Sequence, residues 1–355
     1  MSTAPTVSII TSSFNGVGVI EETIASVQAQ TFTDFEMIVI DDCSSDETVA
    51  VLRGIGDPRI RVVQGEENVG PVRARNRAAA LARGRYIAGL DQDDVCRPER
   101  LARQVAYLDA HPGTVLVATI AEFLENGRLR PSAAPPRSTP PLIRFVLGIM
   151  NPLIWSSVMV RRKAVQQLEP FTRPEVVYAE DFDLYHRLLP LGEIARIDEP
   201  LMIYRAHAGG VSQIHADRMV AAAARILADA HRALFGAAAE ANAELLVRYF
   251  AAKLPAPDVA TLARVAVVLD RLVEHFMIDQ VPDASSRALI GEEASRLWWS
   301  LVRTSIRAGC LSRREALSVR PATPMVARNV PRTGLLKAEI VGRARTLRQR
   351  LREDA

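Results

Sequence analysis

The stretch Tyr86–Asp94, with the sequence YIAGLDQDD, is a short apolar run that ends in three carboxylates within four residues. A run of this kind, followed at once by polar residues, is typical of a buried strand. Side chains two residues apart on a strand point the same way, so Asp91 and Asp93 are expected to face one site while Asp94 turns aside. Carboxylate oxygens are ligands suited to Mg²⁺ or Mn²⁺. An isolated motif of this type is more often a solvated acidic turn, so its meaning depends on the rest of the chain.

Two further apolar runs end in polar residues in the same way. Val7–Thr11 opens into Ser12–Gly16, and Phe35–Ile40 runs directly into Asp41–Asp46. Both runs are rich in β-branched residues, which favour strands. The polar groups at the ends of these predicted strands are therefore candidates for the site that the three aspartates indicate.

Helical patterns separate the predicted strands. Ile20, Ile24 and Val27 recur at helical spacing, and a helix from about Val72 to Ala82 leads into the aspartate strand. The alternation of strands and helices predicts an α/β fold, a doubly wound and mostly parallel sheet with helices on both faces. Ligands on such sheets bind beyond the carboxyl ends of the strands, which places the three polar strand ends on one rim.

Taken together, five segments resemble the family 2 glycosyltransferases with the GT-A fold. The segments are VSIITSSFN (Val7–Asn15), QTFTDFEMIVIDDCSSD (Gln30–Asp46), NVGPVRARNRAAALARG (Asn68–Gly84), YIAGLDQDD (Tyr86–Asp94) and AEDFDL (Ala179–Leu184) with Arg187. The resemblance covers roughly Val7 to His207. It implies inverting transfer of a sugar from a nucleotide-diphosphate sugar, assisted by a divalent metal, Mg²⁺ or Mn²⁺.

The resemblance implies donor-binding roles for residues after the first two strands. Ser12 and Phe14 correspond to contacts with the base and ribose, and Phe14 stands where a tyrosine is common. Asn15 belongs to the same donor-binding group, and Asp42 corresponds to the carboxylate that reads the base edge. Cys43 stands where the family usually has glycine, so the turn after Asp42 departs from the family pattern.

The remaining site residues follow from the same resemblance. Asp91 and Asp93 correspond to the motif for metal and diphosphate, and Asp181 corresponds to the general base. His207 falls where many members have a histidine, which makes it a third candidate for the metal or diphosphate site, with a structural histidine as the alternative. Arg75 is expected near the donor, with a surface salt bridge as the alternative.

The chemistry of sugar transfer calls for these roles independently. A metal neutralises the leaving diphosphate, and an Asp or Glu activates the incoming hydroxyl. A single base without an obvious nucleophile favours direct inversion. Glu180 competes with Asp181 for the role of base, and both fit equally the first turn of a helix, where acidic residues are stabilised by its dipole. Asp183 is expected to be an exposed residue of that helix.

The composition fits a globular protein with more than one unit. The chain has 355 residues, of which 48% are hydrophobic and 24% charged, enough for an α/β core and a smaller second unit. The three cysteines are far apart, which indicates a reducing compartment. The sequence shows no signal-peptide pattern and no apolar run of ~18 residues. We therefore expect a cytoplasmic location, with peripheral contact to the inner face of the cytoplasmic membrane as a further expectation.

The expected domains are a glycosyltransferase domain over residues 1–212 and a helical region over 213–355. Within the first domain, the donor half spans about 1–128 and the acceptor half about 142–212. The proline-rich segment Arg130–Pro141 lies between these halves.

The C-terminal end of the chain is basic. Residues 301–355 contain 13 Lys or Arg and 4 Asp or Glu, a net charge of +9, which leaves −6 for the first 300 residues. The segment Leu335–Leu351 alternates apolar and basic residues, a pattern that suits an anionic membrane face and a lipid-linked acceptor. A solvated or subunit-packing helix explains the pattern equally well. Nucleic-acid binding fits less well, because the excess charge lacks interleaved aromatic residues.

Three other classes of protein were compared with this interpretation. A nucleotidyltransferase normally has a basic, glycine-rich loop after the first strand, and Ser12–Gly16 has no basic residue. A non-catalytic nucleotide-sugar-binding scaffold protein stays open, although three retained aspartates disfavour it. A dinucleotide-dependent oxidoreductase lacks its G-x-G-x-x-G motif here. The favoured function is transfer from a nucleotide sugar, UDP first, to a glycan or lipid-linked acceptor in bacterial surface polysaccharide synthesis. The oligomeric state is left open.

Overall fold

The computed structural model describes residues 4–206, 215–328 and 330–353, with side chains described as far as residue 345. The chain forms two compact units. The first runs to Ile143 and resumes over Pro152–Met219, and the second comprises Arg144–Asn151 and the chain from Val220 onward. The boundary expected at residue 212, like His207, lies in the segment 207–214, outside the described residues.

The described part of the first unit contains a nine-stranded sheet. Its strands are β1 (Val7–Ser13), β2 (Phe35–Asp41), β3 (Ile60–Gln64), β4 (Tyr86–Gly89), β5 (Val95–Cys96), β6 (Thr114–Glu125), β7 (Arg128–Arg130), β8 (Met159–Arg161) and β9 (Glu193–Ala206).

Helices alternate with the strands and then follow them. They are α1 (Ile20–Gln28), α2 (Thr48–Gly54), α3 (Pro71–Leu81), α4 (Arg100–Ala110), α5 (Pro140–Leu147), α6 (Arg162–Val165), α7 (Glu180–Leu188), α8 (Ala216–Ala230), α9 (Arg232–Phe235), α10 (Ala239–Leu246), α11 (Val259–Asp279), α12 (Ala284–Ala308), α13 (Arg313–Ser318) and α14 (Arg332–Glu353). Short 3₁₀ turns lie at Trp155–Ser157, Leu189–Leu191 and Gly236–Ala238, and a π-helical turn at Val247–Ala251.

The strands lie in the order β3-β2-β1-β4-β8-β6-β9-β5, with β7 paired to β6. The first four strands of the chain pair in parallel, and the long β6–β9 ladder is parallel as well. β8 inserts antiparallel between β4 and β6. The predicted α/β class, with a mostly parallel sheet and a helical C-terminal region, is confirmed.

The register of the parallel strands brings their carboxyl ends to one edge. Ser13 on β1 lies opposite Asp41 on β2, and Ile10 lies opposite Gly89, the last residue of β4. The backbone N–H of Asp42 donates to the carbonyl of Ser13 at 2.7 Å, which continues this alignment past the strand ends. The residues that follow β1, β2 and β4 are therefore neighbours.

At the opposite edge of the sheet, the buried Ser8 and Glu36 form a polar cluster with the exposed Arg83. The Ser8 hydroxyl donates to Glu36 Oε1 at 2.7 Å, and the Arg83 guanidinium donates to Glu36 Oε2 at 2.7 Å. The backbone N–H of Gly84 donates to Ser8 Oγ at 2.8 Å. This close approach of two backbones requires a residue without a side chain at Gly84, because an added Cβ would lie 2.5 Å from Ser8 N and 2.7 Å from Val7 C.

Helices are the regular secondary structure of the described part of the second unit. Asp258 caps α11 by accepting from Thr261 N at 2.7 Å, and Asp283 caps α12 by accepting from Ser285 N at 2.8 Å. α12 ends at Gly309, which adopts the left-handed conformation with φ 83°. None of the helices in the described residues is both long enough and apolar enough to cross a membrane.

Substituting Gly84→Ala is expected to lower the free energy of unfolding by about 1–3 kcal/mol, because the new methyl group meets rigid backbone. Urea denaturation followed by circular dichroism measures the change. Gly113→Ala is the control, since a Cβ there meets nothing within 4 Å. Equal stability of both variants would show that the backbones beside Gly84 can separate.

Candidate active site at the carboxyl ends of the strands

The loop after β4 is tied to the end of β1 through Gln92. The Gln92 side chain accepts from Ser13 Oγ and from the backbone N–H of Phe14, both at 2.9 Å, and donates to the Phe14 carbonyl at 3.1 Å. The backbone N–H of Asp91 donates to Ser156 Oγ at 2.9 Å. The middle residue of the Asp-Gln-Asp sequence thus fixes the loop, while Asp91 and Asp93 flank it.

The three aspartates differ in their surroundings. Loss of surrounding water raises the pKa of Asp91 to about 6, while Arg75 lowers it and the carboxylates of Asp93 and Glu180 raise it. Asp94 is buried, and one of its oxygens accepts from Arg205 N at 3.0 Å. Its other oxygen has no hydrogen-bond partner in the described structure. Burial, reinforced by Asp91 and Asp93, raises the pKa of Asp94 well above its ordinary value.

Arg75 connects the loop after β4 with the start of α7. Its guanidinium donates to Glu180 Oε1 at 2.8 Å and to Asp91 Oδ1 at 3.4 Å, and it lies over the Trp155 ring at 4.3 Å. Arg75 is only 6% exposed. A salt bridge at the surface, which was the alternative to a position near the donor, therefore does not describe this side chain. The structure thus brings Arg75 beside Asp91, and its contact with the donor stays a prediction.

Asp181 lies at the N-terminus of α7. Its Oδ1 accepts from the backbone N–H of Phe182 at 2.7 Å. Burial lowers the pKa of Arg75, but the carboxylates of Glu180, Asp91 and Asp181 raise it above its ordinary value. The Asp181 carboxylate is therefore close enough to the Arg75 guanidinium for their charges to interact.

Tyr185 lies one turn further along α7. It is fully buried, and its hydroxyl has no hydrogen-bond partner in the described structure. Burial, followed by the nearby Asp181 carboxylate, raises the pKa of Tyr185 well above its ordinary value. This hydroxyl therefore lies close to the charged groups of the site.

The prediction that Asp183 is exposed was wrong. Asp183 is 6% exposed and pairs with Arg173 at 3.3 Å and Arg187 at 3.5 Å. Burial raises the pKa of this carboxyl, and both arginines lower it. Arg187, which belongs to the family-like motif, also donates to the carbonyl of Phe171 at 3.1 Å, so the pair fixes the segment before α7.

The end of β2 is organised by Asp42. Its two carboxylate oxygens accept from the backbone N–H groups of Val69 and Gly70 at 2.9 and 2.8 Å, and its carbonyl accepts from Asn68 Nδ2 at 3.1 Å. Asp42 is 3% exposed. Its carboxylate therefore holds the loop before α3, and any contact with a nucleotide uses the remaining lone pairs.

The residues after β1 are arranged around Phe14. Phe14 is 44% exposed, whereas Ser12 is half-buried at the strand end. Asn15 has a φ of 47°, and its side-chain oxygen accepts from the backbone N–H of Ser45 at 2.9 Å. Phe14 thus offers an accessible aromatic face, while Asn15 joins the loops that follow β1 and β2.

The chemistry of the ligand atoms fits a divalent cation beside Asp91. Carboxylate oxygens dominate, and Asp94 contributes a buried oxygen without a partner in the described structure. Burial is the main cause of the raised pKa of Asp91, and the carboxylates of Asp93 and Glu180 add to it, which a bound cation would oppose. Within the described ranges, no group of three or more His, Cys, Asp and Glu is already arranged around a metal position. His207 lies outside those ranges.

A mostly parallel sheet with polar groups at the carboxyl ends of its strands is the arrangement in which open α/β sheets bind their ligands. The model of the family "Glycosyl transferase family 2" matches residues 8–169. The chain is also 30% identical over 210 residues, 58% of this chain and 79% of the relative, to the Escherichia coli UDP-Glc:alpha-D-GlcNAc-diphosphoundecaprenol beta-1,3-glucosyltransferase WfaP. The chain belongs to glycosyl transferase family 2, as the resemblance implied, and it is a glycosyltransferase.

Other relatives match a smaller part of their length. The succinoglycan biosynthesis protein ExoO of Rhizobium meliloti (strain 1021) is 39% identical over 124 residues, which cover 35% of this chain and 36% of that protein. The family therefore includes relatives named for polysaccharide biosynthesis.

Solved structures of similar fold extend over most of the chain. The structure of S. aureus TarS residues 1–349 in complex with UDP has a TM-score of 0.53 and 18% identity, covering 84% of this chain and 90% of that one. The mannosyltransferase PcManGT from Pyrobaculum calidifontis, in complex with GDP-Man and Mn²⁺, has a TM-score of 0.51 and 18% identity, covering 98% and 88%. At this identity the likeness concerns the fold.

The stability of Asp91→Asn relative to the wild type is expected to rise as the pH increases from 4 to 7.5 in EDTA. The pKa of this carboxyl rises from 3.8 to about 6 on folding, so the folded state keeps the proton up to a higher pH than the unfolded state. The stability of the wild type therefore falls as the pH rises between these values. Thermal unfolding across this range tests the expectation.

Asp57→Asn is the control of opposite sign for that measurement. The Arg59 guanidinium beside Asp57 holds the pKa of that carboxyl at about 2, so its stabilising effect is present above 3.8 and is lost as pH falls towards about 2. Asp57→Asn should therefore destabilise at pH 7.5. A fall in the stability of Asp91→Asn relative to the wild type between pH 4 and 7.5 would contradict the raised pKa of Asp91.

Proposed function

We propose that the protein is an inverting glycosyltransferase that moves a sugar from a nucleotide-diphosphate sugar to a hydroxyl group, with Asp181 as general base. The observation that carries this proposal is the pair of contacts that Arg75 makes with Asp91 and Glu180. Glu180 lies 105 residues from Arg75 in the sequence, so these contacts bring distant parts of the chain together. Membership of the family supplies the class of reaction. In the proposed arrangement, Asp91 faces the donor phosphates and Asp181 faces the acceptor hydroxyl.

Asp181 is a better candidate for the base than Glu180. Glu180 is committed to the Arg75 guanidinium at 2.8 Å and is 12% exposed. Because one Glu180 oxygen already accepts from Arg75, this side chain has fewer lone pairs available for an acceptor hydroxyl. Asp181 is half-buried and lies next in sequence, at the start of α7. A carboxylate at this position can accept the proton of an acceptor hydroxyl as it attacks the anomeric carbon.

Asp91 and Asp93 would hold Mg²⁺ or Mn²⁺, with His207 as a third candidate. When bound, a divalent cation supplies positive charge for the leaving diphosphate. In this proposal Arg75, which contacts Asp91, donates to the same phosphates, and that contact supports the assignment. The Mn²⁺ complex of PcManGT supports a divalent cation in this fold.

The donor nucleotide is proposed to lie over the residues that follow β1 and β2. The exposed face of Phe14 is available for stacking on a base, and Ser12, Asn15 and Asp42 provide hydrogen-bonding groups around it. UDP is favoured, since the relative WfaP is named for UDP-Glc and TarS was solved with UDP. In this proposal residues 1–128 form the donor half and residues 142–212 the acceptor half.

The acceptor is proposed to be a glycan or a lipid-linked glycan, used at the inner membrane surface. The name of WfaP, which includes a diphosphoundecaprenol acceptor, supports this proposal. Helix α14 supports it as well, because Leu336 and Ile340 are 48% and 62% exposed among basic side chains, while Leu335 packs inward. Such a face suits an anionic lipid surface.

Asp93→Asn and Asp181→Asn are expected to separate binding from transfer. Asp93→Asn should weaken Mn²⁺-dependent nucleotide binding at least tenfold, since a carboxylate ligand is lost. Asp181→Asn should keep binding within about twofold and lower the rate of transfer by about 10²–10⁴, the contribution of a general base. Calorimetric titration of UDP, dTDP and GDP with and without Mn²⁺, followed by assays with the matching sugar donor, measures both.

Asp229→Asn provides the charge-matched control for these variants, since Asp229 is 76% exposed in the second unit. It should leave binding and transfer unchanged. Wild-type affinity of Asp93→Asn would remove the metal assignment, and wild-type transfer by Asp181→Asn would remove the base assignment. Failure of all three nucleotides to bind would contradict the proposed donor.

Replacing Leu336 and Ile340 by Asp is expected to release the protein from anionic vesicles without unfolding it, because both side chains are exposed. Co-sedimentation with vesicles rich in phosphatidylglycerol measures binding, and donor hydrolysis reports on the sheet unit. Undiminished sedimentation would show that this face of α14 does not contact the membrane.

A further inference from the structure

The second unit contains a cavity of about 380 Å³ that the proposed chemistry of sugar transfer does not use. It is lined by residues of α12, α13, α14 and the segment that joins the last two helices. Trp298, Trp299, Leu317 and Leu335 form much of its wall. The volume lies in the range of small-molecule sites, and the wall is mainly aromatic and aliphatic.

Three arginines belong to the same lining: Arg313, Arg320 and Arg332. Arg313 pairs with Glu339 at 3.2 Å. Within the part of the chain that the structure describes, the side chains of Arg320 and Arg332 are exposed and make no hydrogen bond or ion pair. The cavity therefore combines an apolar wall with two guanidinium groups whose charge has no partner among the described residues.

This combination selects a particular ligand chemistry. A guanidinium group can donate two parallel hydrogen bonds to the oxygens of a phosphate. Indole and leucine side chains, in contrast, favour contact with hydrocarbon. Free phosphate would leave the apolar wall unused, and a neutral apolar molecule would leave the arginines unused. A phosphate ester that carries a hydrocarbon chain uses both parts of the cavity.

The surroundings of the cavity indicate where such a ligand comes from. Arg332 and Leu335 lie on α14, the helix that also exposes Leu336 and Ile340. Residues 301–355 carry a net charge of +9, which attracts anionic membrane surfaces. A lipid from that surface would bring both the phosphate and the chain.

We propose that this cavity binds an anionic membrane phospholipid, with its phosphate between Arg320 and Arg332 and part of an acyl chain against the tryptophans. This proposal rests on the membrane contact proposed above. It adds that one lipid molecule binds at a defined site, beyond the general attraction of the basic region to an anionic surface. It is independent of the donor site on the sheet unit.

The test uses the full chain and dihexanoyl phosphatidylglycerol below its micelle concentration, with binding measured by calorimetry. Binding should be at least tenfold tighter than for dihexanoyl phosphatidylcholine and for glycerol phosphate. Equal binding of the two lipids would overturn the role of the arginines, and equal binding of glycerol phosphate would reduce the cavity to a simple anion site.

Variants then locate the bound lipid. Arg320→Ala combined with Arg332→Ala should weaken binding at least tenfold. The control pair Arg314→Ala with Arg345→Ala removes the same charge from the same basic region, from exposed residues that do not line the cavity, and should change binding less than twofold. Equal losses for both pairs would show general electrostatic attraction and overturn the site.

Filling the cavity gives a second measurement that does not alter charge. Ala327→Trp places an indole ring in the cavity and should abolish binding of the short-chain lipid while UDP titration stays unchanged. Full lipid binding by this variant would overturn the proposal. Because vesicle sedimentation and nucleotide titration are measured separately, failure of the lipid site is distinguishable from failure of the membrane contact or of the transferase.

Discussion

The buried ion pairs of Arg75 are the interaction on which the candidate site depends. A buried guanidinium is strongly unfavourable unless carboxylates and hydrogen bonds compensate its lost hydration. Here Glu180 and Asp91 provide that compensation, and the Trp155 ring covers the planar face. Because the two carboxylates come from different elements, satisfying one cation fixes the loop after β4 against the start of α7. The pieces of the site are thus positioned by a charge that the fold has to neutralise.

The site nevertheless keeps more negative than positive charge. Asp91 and Asp94 both have raised pKa values, caused first by burial and reinforced by neighbouring carboxylates. Such crowding opposes stability, and a fold tolerates it where a ligand later supplies the missing charge. A cation and the donor phosphates interact with this excess in opposite ways, since the first relieves it and the second adds to it. The proposals of a metal beside Asp91 and of phosphate contacts from Arg75 are therefore compatible with each other.

Elements with clear periodicity could be predicted from the sequence, and residues fixed by distant partners could not. The alternation of apolar runs and helical patterns up to Asp94 defined the strands and helices that the structure contains. Asp183 was misjudged because its burial depends on Arg173, in a segment without periodicity. Gln92 and Ser156 gave no signal, since their roles arise from hydrogen bonds to Ser13 and Asp91 across the sheet edge.

One local departure shows how the family pattern and the backbone are related. Cys43 has a φ of 65°, the left-handed conformation in which glycine is least strained. The left-handed turn, which would suit the glycine that the resemblance implied, is formed here by a residue with a side chain. It persists because Asp42 anchors both sides of it, through Val69 N, Gly70 N and the backbone bond to Ser13. Strain at one residue is tolerated where several hydrogen bonds determine the same conformation. The geometry after β2 is thus set by Asp42 more than by the residue type that follows it.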